Sequence, residues 1–175
     1  MFSADLYGKA LAFAAKAHGA QLTPHGLPYV VHLSGVCMEV TRALREEPGR
    51  DEDLAVACAL LHDVVEDTAT RIGDVEKAFG QRVASGVAAL TKDAAVEKER
   101  RMEDSLQRIL RQPAEVAMVK LADRITTLGP PPPTWSREKK VSYRAEAQLI
   151  LERLGAASGF LTARLEARID GYLVG

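Results

Sequence analysis

An all-α fold is predicted from three features of the sequence. Aromatic residues make up only 5% of the 175 residues, whereas β-sandwiches draw on aromatic and β-branched side chains. Ala and Leu, both strong helix formers, are abundant and recur at helical spacing. The hydrophobic share, 47%, is that of a packed globular core, which excludes wholesale disorder. The length suits one domain, so residues 1–175 are expected to form a single unit.

The elements follow in order. Leu6, Ala10, Phe13, Ala14 and Ala17 share a helical face, with Ser3 as N-cap, so residues 4–17 are expected to form the first helix. Pro24, Gly26 and Pro28 break the chain into a loop over 19–29 that folds back. A second helix is expected over 30–45, followed by a polar turn around Pro48 and Gly49. The third, over 51–65, carries acidic residues at its start, where the helix dipole favours them. It is apolar nearly all round and is therefore expected at the centre of the fold. Helices are expected over 71–79, ending at Gly80, and over 82–90; 91–100 is polar and reads as loop. Further helices are expected over 101–111 and 114–128, the latter largely buried. The four prolines of GPPPPT (129–134) then impose an extended, polyproline-type connection. Two closing helices, 136–154 and 158–173, complete the chain.

Several function classes are excluded. Lys plus Arg number 23 and Asp plus Glu 24, a formal net charge of −1. That balance argues against a nucleic-acid coat or a polybasic membrane anchor. No apolar run approaches the ~20 residues of a spanning helix, and the N-terminus is amphipathic, unlike a signal peptide. The two cysteines, Cys37 and Cys58, sit at apolar helical positions and form no CxxC. A disulfide scaffold or zinc–thiolate site is thus not expected, and a reducing, cytoplasmic setting is.

The chemistry concentrates in HDVVED. His62 and Glu66 are i,i+4, Asp63 and Glu66 i,i+3, and Asp63 and Asp67 i,i+4, so all are neighbours on a helix surface. Like charges at this spacing repel, and a helix C-terminus disfavours anions. A bound cation would compensate them; the competing explanation is a solvated helix end. His32 begins the second helix, and Asp123 lies inside the apolar run MVKLADRI, where a charge is costly unless paired. Arg124 is the simplest partner for Asp123. Two His and two Asp on three helices make a mixed N/O set, suited to a divalent ion such as manganese or iron that keeps open water positions.

These residues resemble a known family. His32, His62-Asp63 and Asp123 match the ordered H…HD…D pattern of the HD-domain metal-dependent phosphohydrolases. Ala17-His18, Gln21, Gly26, Pro28-Tyr29, ALLHDVVEDT (59–68) and VKLADR (119–124) are similar to the (p)ppGpp hydrolase branch, the hydrolase domain of the RelA/SpoT type. Trp135-Ser136 and Tyr143 resemble the C-terminal part of its stand-alone members, so the likeness runs from about residue 4 to 170. It implies a helical HD domain with the metal held between helices. One Mn²⁺ would be bound by His32, His62, Asp63 and Asp123. Glu66 and Asp67 would handle the nucleophilic water, Tyr143 would lie near the nucleotide, and Lys120 would contact the substrate or partner nearby carboxylates. Lys98 and Arg101 fall where the family has a basic loop and are expected to line a groove for the substrate's phosphates. The implied reaction is removal of the 3′-pyrophosphate of (p)ppGpp, on a small nucleotide and with no nucleic-acid or membrane partner; the resemblance says nothing of the oligomeric state.

Three positions depart from the pattern. Thr23 stands where the family carries an Arg that packs on the base, Thr127 where it has an Asn that contacts the nucleotide, and Leu33 where it prefers Pro. Thr offers no cationic plane for stacking and no paired amide donor and acceptor. Three alternatives therefore stay open: the same chemistry on (p)ppApp, an NADPH phosphatase, and a non-enzymatic metal-bound nucleotide sensor. Retention of both Glu66 and Asp67 speaks against the last.

Overall fold

A computed structural model describes residues 2–172. Among the described residues ten α-helices follow one another: α1 Ala4–His18, α2 Tyr29–Glu46, α3 Glu52–Leu61, α4 Val64–Asp67, α5 Ile72–Phe79, α6 Gln81–Leu90, α7 Arg101–Ile109, α8 Ala114–Thr127, α9 Arg137–Leu154 and α10 Gly159–Asp170. Among the described residues no strand forms beyond an isolated bridge between Leu22 and Pro28. The fold is all-α, as composition and periodicity predict.

Helix α3 is the hub. Every residue from Leu54 to Leu61 is buried, because α1, α2, α6 and α8 pack around it on all sides. Asp51 caps α3, accepting from the Leu54 amide at 3.0 Å. The buried carboxylate of Glu115 accepts from the Asp51 amide at 2.8 Å and so ties the start of α8 to the start of α3. Helix α8 also packs on α2, α9 and α10. The two buried helices α3 and α8 and the flanking α2 thus meet along one seam, and His32, His62, Asp63 and Asp123 lie on it.

Expectation and structure differ in detail. The helix expected over 51–65 is broken: α3 ends at Leu61 and α4 begins at Val64. The reason is local. In a regular helix the Ala59 carbonyl would receive only the amide four residues on; here it takes the Nδ1–H of His62 at 2.9 Å. Asp63 has turned to φ −102°, ψ −4°. The kink swings Asp63 beside His62. The 91–100 connection contains a short 3₁₀ turn at Lys98–Arg100. The chain bends over residues 128–130 as it enters the proline run, and the Trp135 amide closes a turn on the Pro132 carbonyl at 3.0 Å. The last helix ends at Asp170; the expectation for Leu173 lies outside the described residues.

Candidate active site

The side chains on the seam converge. The Nε2 atoms of His32 and His62 lie 3.3 Å apart. His32 Nε2 is 3.5 Å from Asp63 Oδ2 and 3.6 Å from Asp123 Oδ1, and His62 Nε2 is 3.0 and 3.9 Å from the same two atoms. Ligand atoms of His32, His62 and Asp123 all fall within 4.8 Å of one another. Because His62 Nδ1 gives its hydrogen to the Ala59 carbonyl, the neutral ring presents a bare Nε2 lone pair to the cluster.

The electrostatics point the same way. Burial disfavours a charged His62, but Asp63 and Asp123 outweigh it and lift its pKa to about 9. Burial pushes the Asp123 carboxyl up, yet Lys120 and the imidazoles hold it at about 2. Burial also opposes charge on Asp63, and His62, His32 and the Tyr29 hydroxyl, which donates to Oδ2 at 2.6 Å, override it and hold this carboxyl well below its usual range. Burial and the charge of Asp63 drive the Tyr29 phenol strongly upward, so it stays a donor. The cluster therefore demands positive charge at its centre. Two imidazole Nε2 atoms and two ionised carboxylates, with no thiolate, fit a divalent cation that would take the place of the ring protons.

Around the cluster, Lys120 binds Asp123 Oδ2 at 3.1 Å. Arg124, the partner expected for Asp123, instead reaches Glu146 at 3.2 Å and stacks 4.1 Å over Tyr143. Adjacent residues on a helix diverge, whereas i,i+3 residues meet, which selects Lys120. The acidic pair is held from two sides. Both oxygens of Glu66 accept from Lys92, from its backbone amide at 3.0 Å and from Nζ at 3.3 Å. Asp67 Oδ2 accepts from the Gln21 amide at 3.0 Å.

The residues expected to meet the nucleotide are less uniform. Tyr143 is half-buried, edge-on to Trp135 at 5.0 Å between centroids. Thr127 gives its hydroxyl hydrogen to the Asp123 carbonyl at 3.0 Å. Thr23 stays within its own loop, its hydroxyl accepting from the Leu27 amide at 3.2 Å. Arg101 clamps the carbonyls of Val96 and Ala94, both at 2.9 Å. Lys98 lies on the exposed 3₁₀ turn, beside a cleft lined by Glu97, Glu99, Glu103 and Asp104 as well as Arg100. That lining is acidic on balance, contrary to a phosphate groove there. Sequence reading gave no chemical role to Tyr29, though it stands three residues before His32, the spacing that puts both on one helix face. Nothing in the sequence links Lys92 to Glu66.

The HD-domain family profile matches residues 10–160, more than half of the chain. The chain belongs to the HD-domain phosphohydrolases. Among its relatives is the Drosophila melanogaster protein named guanosine-3′,5′-bis(diphosphate) 3′-pyrophosphohydrolase MESH1, 31% identical over 91% of this chain and 88% of that one. The human protein of the same name is 32% identical over 83% of each chain. A solved structure described as a metazoan ortholog of SpoT that hydrolyzes ppGpp superposes with a TM-score of 0.83, at 28% identity and over 99% of both chains. This HD-domain protein is thus a metal-dependent phosphohydrolase. Among the described residues, no helix is long and apolar enough to cross a membrane.

Proposed function

We propose that this HD-domain protein releases pyrophosphate from the 3′ position of (p)ppGpp, giving GDP or GTP, with Mn²⁺ as its metal. The observation that carries the reading is the convergence of His32, His62, Asp63 and Asp123, flanked by Glu66 and Asp67 and carried on a chain 31% identical to a protein named for this reaction. His32 and His62 would hold the ion through Nε2, and Asp63 and Asp123 through carboxylate oxygens. Bound there, the metal supplies Lewis acidity toward a phosphate oxygen and makes a water acidic enough to react near neutral pH.

The protein's own groups account for the rest. Both Glu66 oxygens already accept from Lys92, so Asp67 takes the proton of the attacking water and Glu66 holds the Lys92 end of the site in place. Tyr29 and Lys120 fix the carboxylates of Asp63 and Asp123 from outside. Tyr143, braced by Arg124 and Trp135, offers an aromatic edge to the nucleoside. Thr23 and Thr127, turned to backbone partners, leave base preference to other contacts.

The test is product analysis with ppGpp and ppApp in parallel, with Mn²⁺ and with chelator. Metal-dependent release of pyrophosphate and GDP from ppGpp is expected. Turnover of ppApp alone would make Thr23 and Thr127 the marks of a changed base preference. No release from either would overturn the reading and favour an NADPH phosphatase or a nucleotide sensor.

A further inference from the structure

His18 is the C-terminal residue of α1, and it is 6% exposed. It lies against the candidate active site but is not one of the clustered ligands. Three contacts define it. Its ring stacks on Tyr29, 4.5 Å between centroids and 24° between planes. Its Nδ1 is 2.8 Å from Gln21 Oε1. Its Nε2 is buried with no hydrogen-bond partner. A buried imidazole with one edge unsatisfied costs free energy, so the satisfied edge is where its use should be sought.

Hydrogen-bond direction can be followed back from Asp67. An ionised carboxylate only accepts, so the Gln21 group facing Asp67 Oδ2 is the NH₂, at 3.0 Å. The opposite end of that amide, Oε1, also only accepts, so His18 Nδ1 must carry a hydrogen. His18 thus selects which way the Gln21 amide points. Reversed, the amide would set its oxygen against the Asp67 carboxylate. The backbone reinforces the arrangement: the Gln21 amide donates to the His18 carbonyl at 2.9 Å, and the Tyr29 amide donates to the Gln21 carbonyl at 3.0 Å. These bonds fasten the loop between α1 and α2 at both ends.

We propose that His18 is a positioning residue for Asp67, acting through the side-chain amide of Gln21. The inference rests on the assignment of Asp67 as proton acceptor made above. His18 touches neither water nor substrate. It holds Gln21 in the one orientation that directs a donor at Asp67 Oδ2 and so limits the directions in which that carboxylate can face. A misplaced general base loses rate without losing substrate binding, so the loss falls on kcat rather than KM.

The experiment uses the metal-loaded full chain and compares His18→Phe, His18→Asn, Gln21→Leu, the His18→Phe/Gln21→Leu double variant and Asp67→Asn. His18→Phe keeps a ring against Tyr29 and removes the Nδ1 donor; His18→Asn restores a donor near that position without the ring. His18→Phe and Gln21→Leu are each expected to lower kcat for pyrophosphate release about 10-fold, with KM and metal content unchanged. The double variant should fall no further than either single one, because both cut the same chain. His18→Asn should recover most of the loss. Long-range ¹H–¹⁵N spectra of the wild type should show His18 with its hydrogen on Nδ1.

A hydrogen on Nε2 alone, a double variant about 100-fold down, or a His18→Asn variant no better than His18→Phe would each overturn the inference. Should His18→Phe fail to fold by circular dichroism, the Gln21→Leu kinetics and the tautomer decide, and wild-type kcat in Gln21→Leu refutes it. Asp67→Asn separates the two levels. If it leaves kcat unchanged, the assignment of Asp67 falls, and the inference with it. If it lowers kcat while His18→Phe does not, the inference alone falls.

Discussion

Replacing Lys120 with Met should destabilise the metal-free protein far more than the metal-loaded one. Lys120 and Asp123 are 3.1 Å apart, with side chains only 10% and 14% exposed. At that distance, with an effective dielectric constant of ~20, the attraction is about 5 kcal/mol. Met removes it together with the cost of burying the ammonium, which offsets about half. The net loss in the metal-free protein is therefore about 2–3 kcal/mol, at or just below the ~3–5 kcal/mol that breaking a fully buried pair costs. For a chain of this size, that lowers Tm by about 5–10 °C. With a divalent ion on Asp123, the carboxylate keeps a cation whether or not Lys120 is present, and the loss should shrink to about 1 kcal/mol. Linkage then requires the variant to bind the metal more tightly, by about 10-fold. Urea titrations of both proteins, in chelator and in saturating Mn²⁺, measure all four stabilities. Equal losses in the two states would show that Lys120 and the metal do not share Asp123, and the electrostatic account of the site would fail.

Further outcomes follow from the same geometry. His62 is raised from 6.5 to about 9, so without metal its contribution to stability is complete below pH 6.5 and lost as pH rises through 9. Asp123 is lowered from 3.8 to about 2, so its contribution is present above pH 3.8 and lost as pH falls through 2. Thermal melts in chelator should therefore favour the interval between these limbs, and saturating metal should abolish the alkaline limb by replacing the His62 proton. Tyr29→Phe keeps the ring on His18 but removes the 2.6 Å donor to Asp63. Mn²⁺ affinity, read by competition with a chelating dye, should fall about 10-fold or more. A Cβ on Gly86 would lie 2.7 Å from Cys58 Sγ and 3.1 Å from a Val116 methyl. Gly86→Ala should thus cost about 1–3 kcal/mol by forcing α6 off α3 and α8, measurable by urea titration.

The sequence made the framework legible because the strongest local signals coincide with the fold. The all-round apolar character of 54–61 marks the central helix, and Ser3 marks the first helix start; the structure adds side-chain caps at Asp51, Ser136 and Ser158. The four ligand candidates were legible from order and residue type, and the structure brings them together. What sequence periodicity could not show was the break at His62–Asp63, since it arises when a side chain takes a backbone carbonyl that periodicity assigns to the helix. The partner of Asp123 was open to the i,i+3 rule, which favours Lys120 over the adjacent Arg124. Lys92 meeting Glu66 and Gln21 meeting Asp67 depend on how two loops fold back over α4, and no local pattern encodes such contacts. The surroundings of the basic residues near 98–101 were likewise not legible: Arg101 is committed to loop carbonyls, and the neighbouring cleft is lined largely by Glu and Asp.

The claim at the centre of the account is that one divalent ion is bound where the imidazoles of His32 and His62 meet the carboxylates of Asp63 and Asp123. An anomalous difference map from a crystal grown with Mn²⁺, recorded on either side of the manganese edge, tests it most directly. The account predicts one peak, within bonding distance of Nε2 of both histidines and of an oxygen of each aspartate. A peak held instead by Glu66 and Asp67, or by the acidic cleft of Glu97 to Asp104, with the His32–His62 site empty, would contradict it.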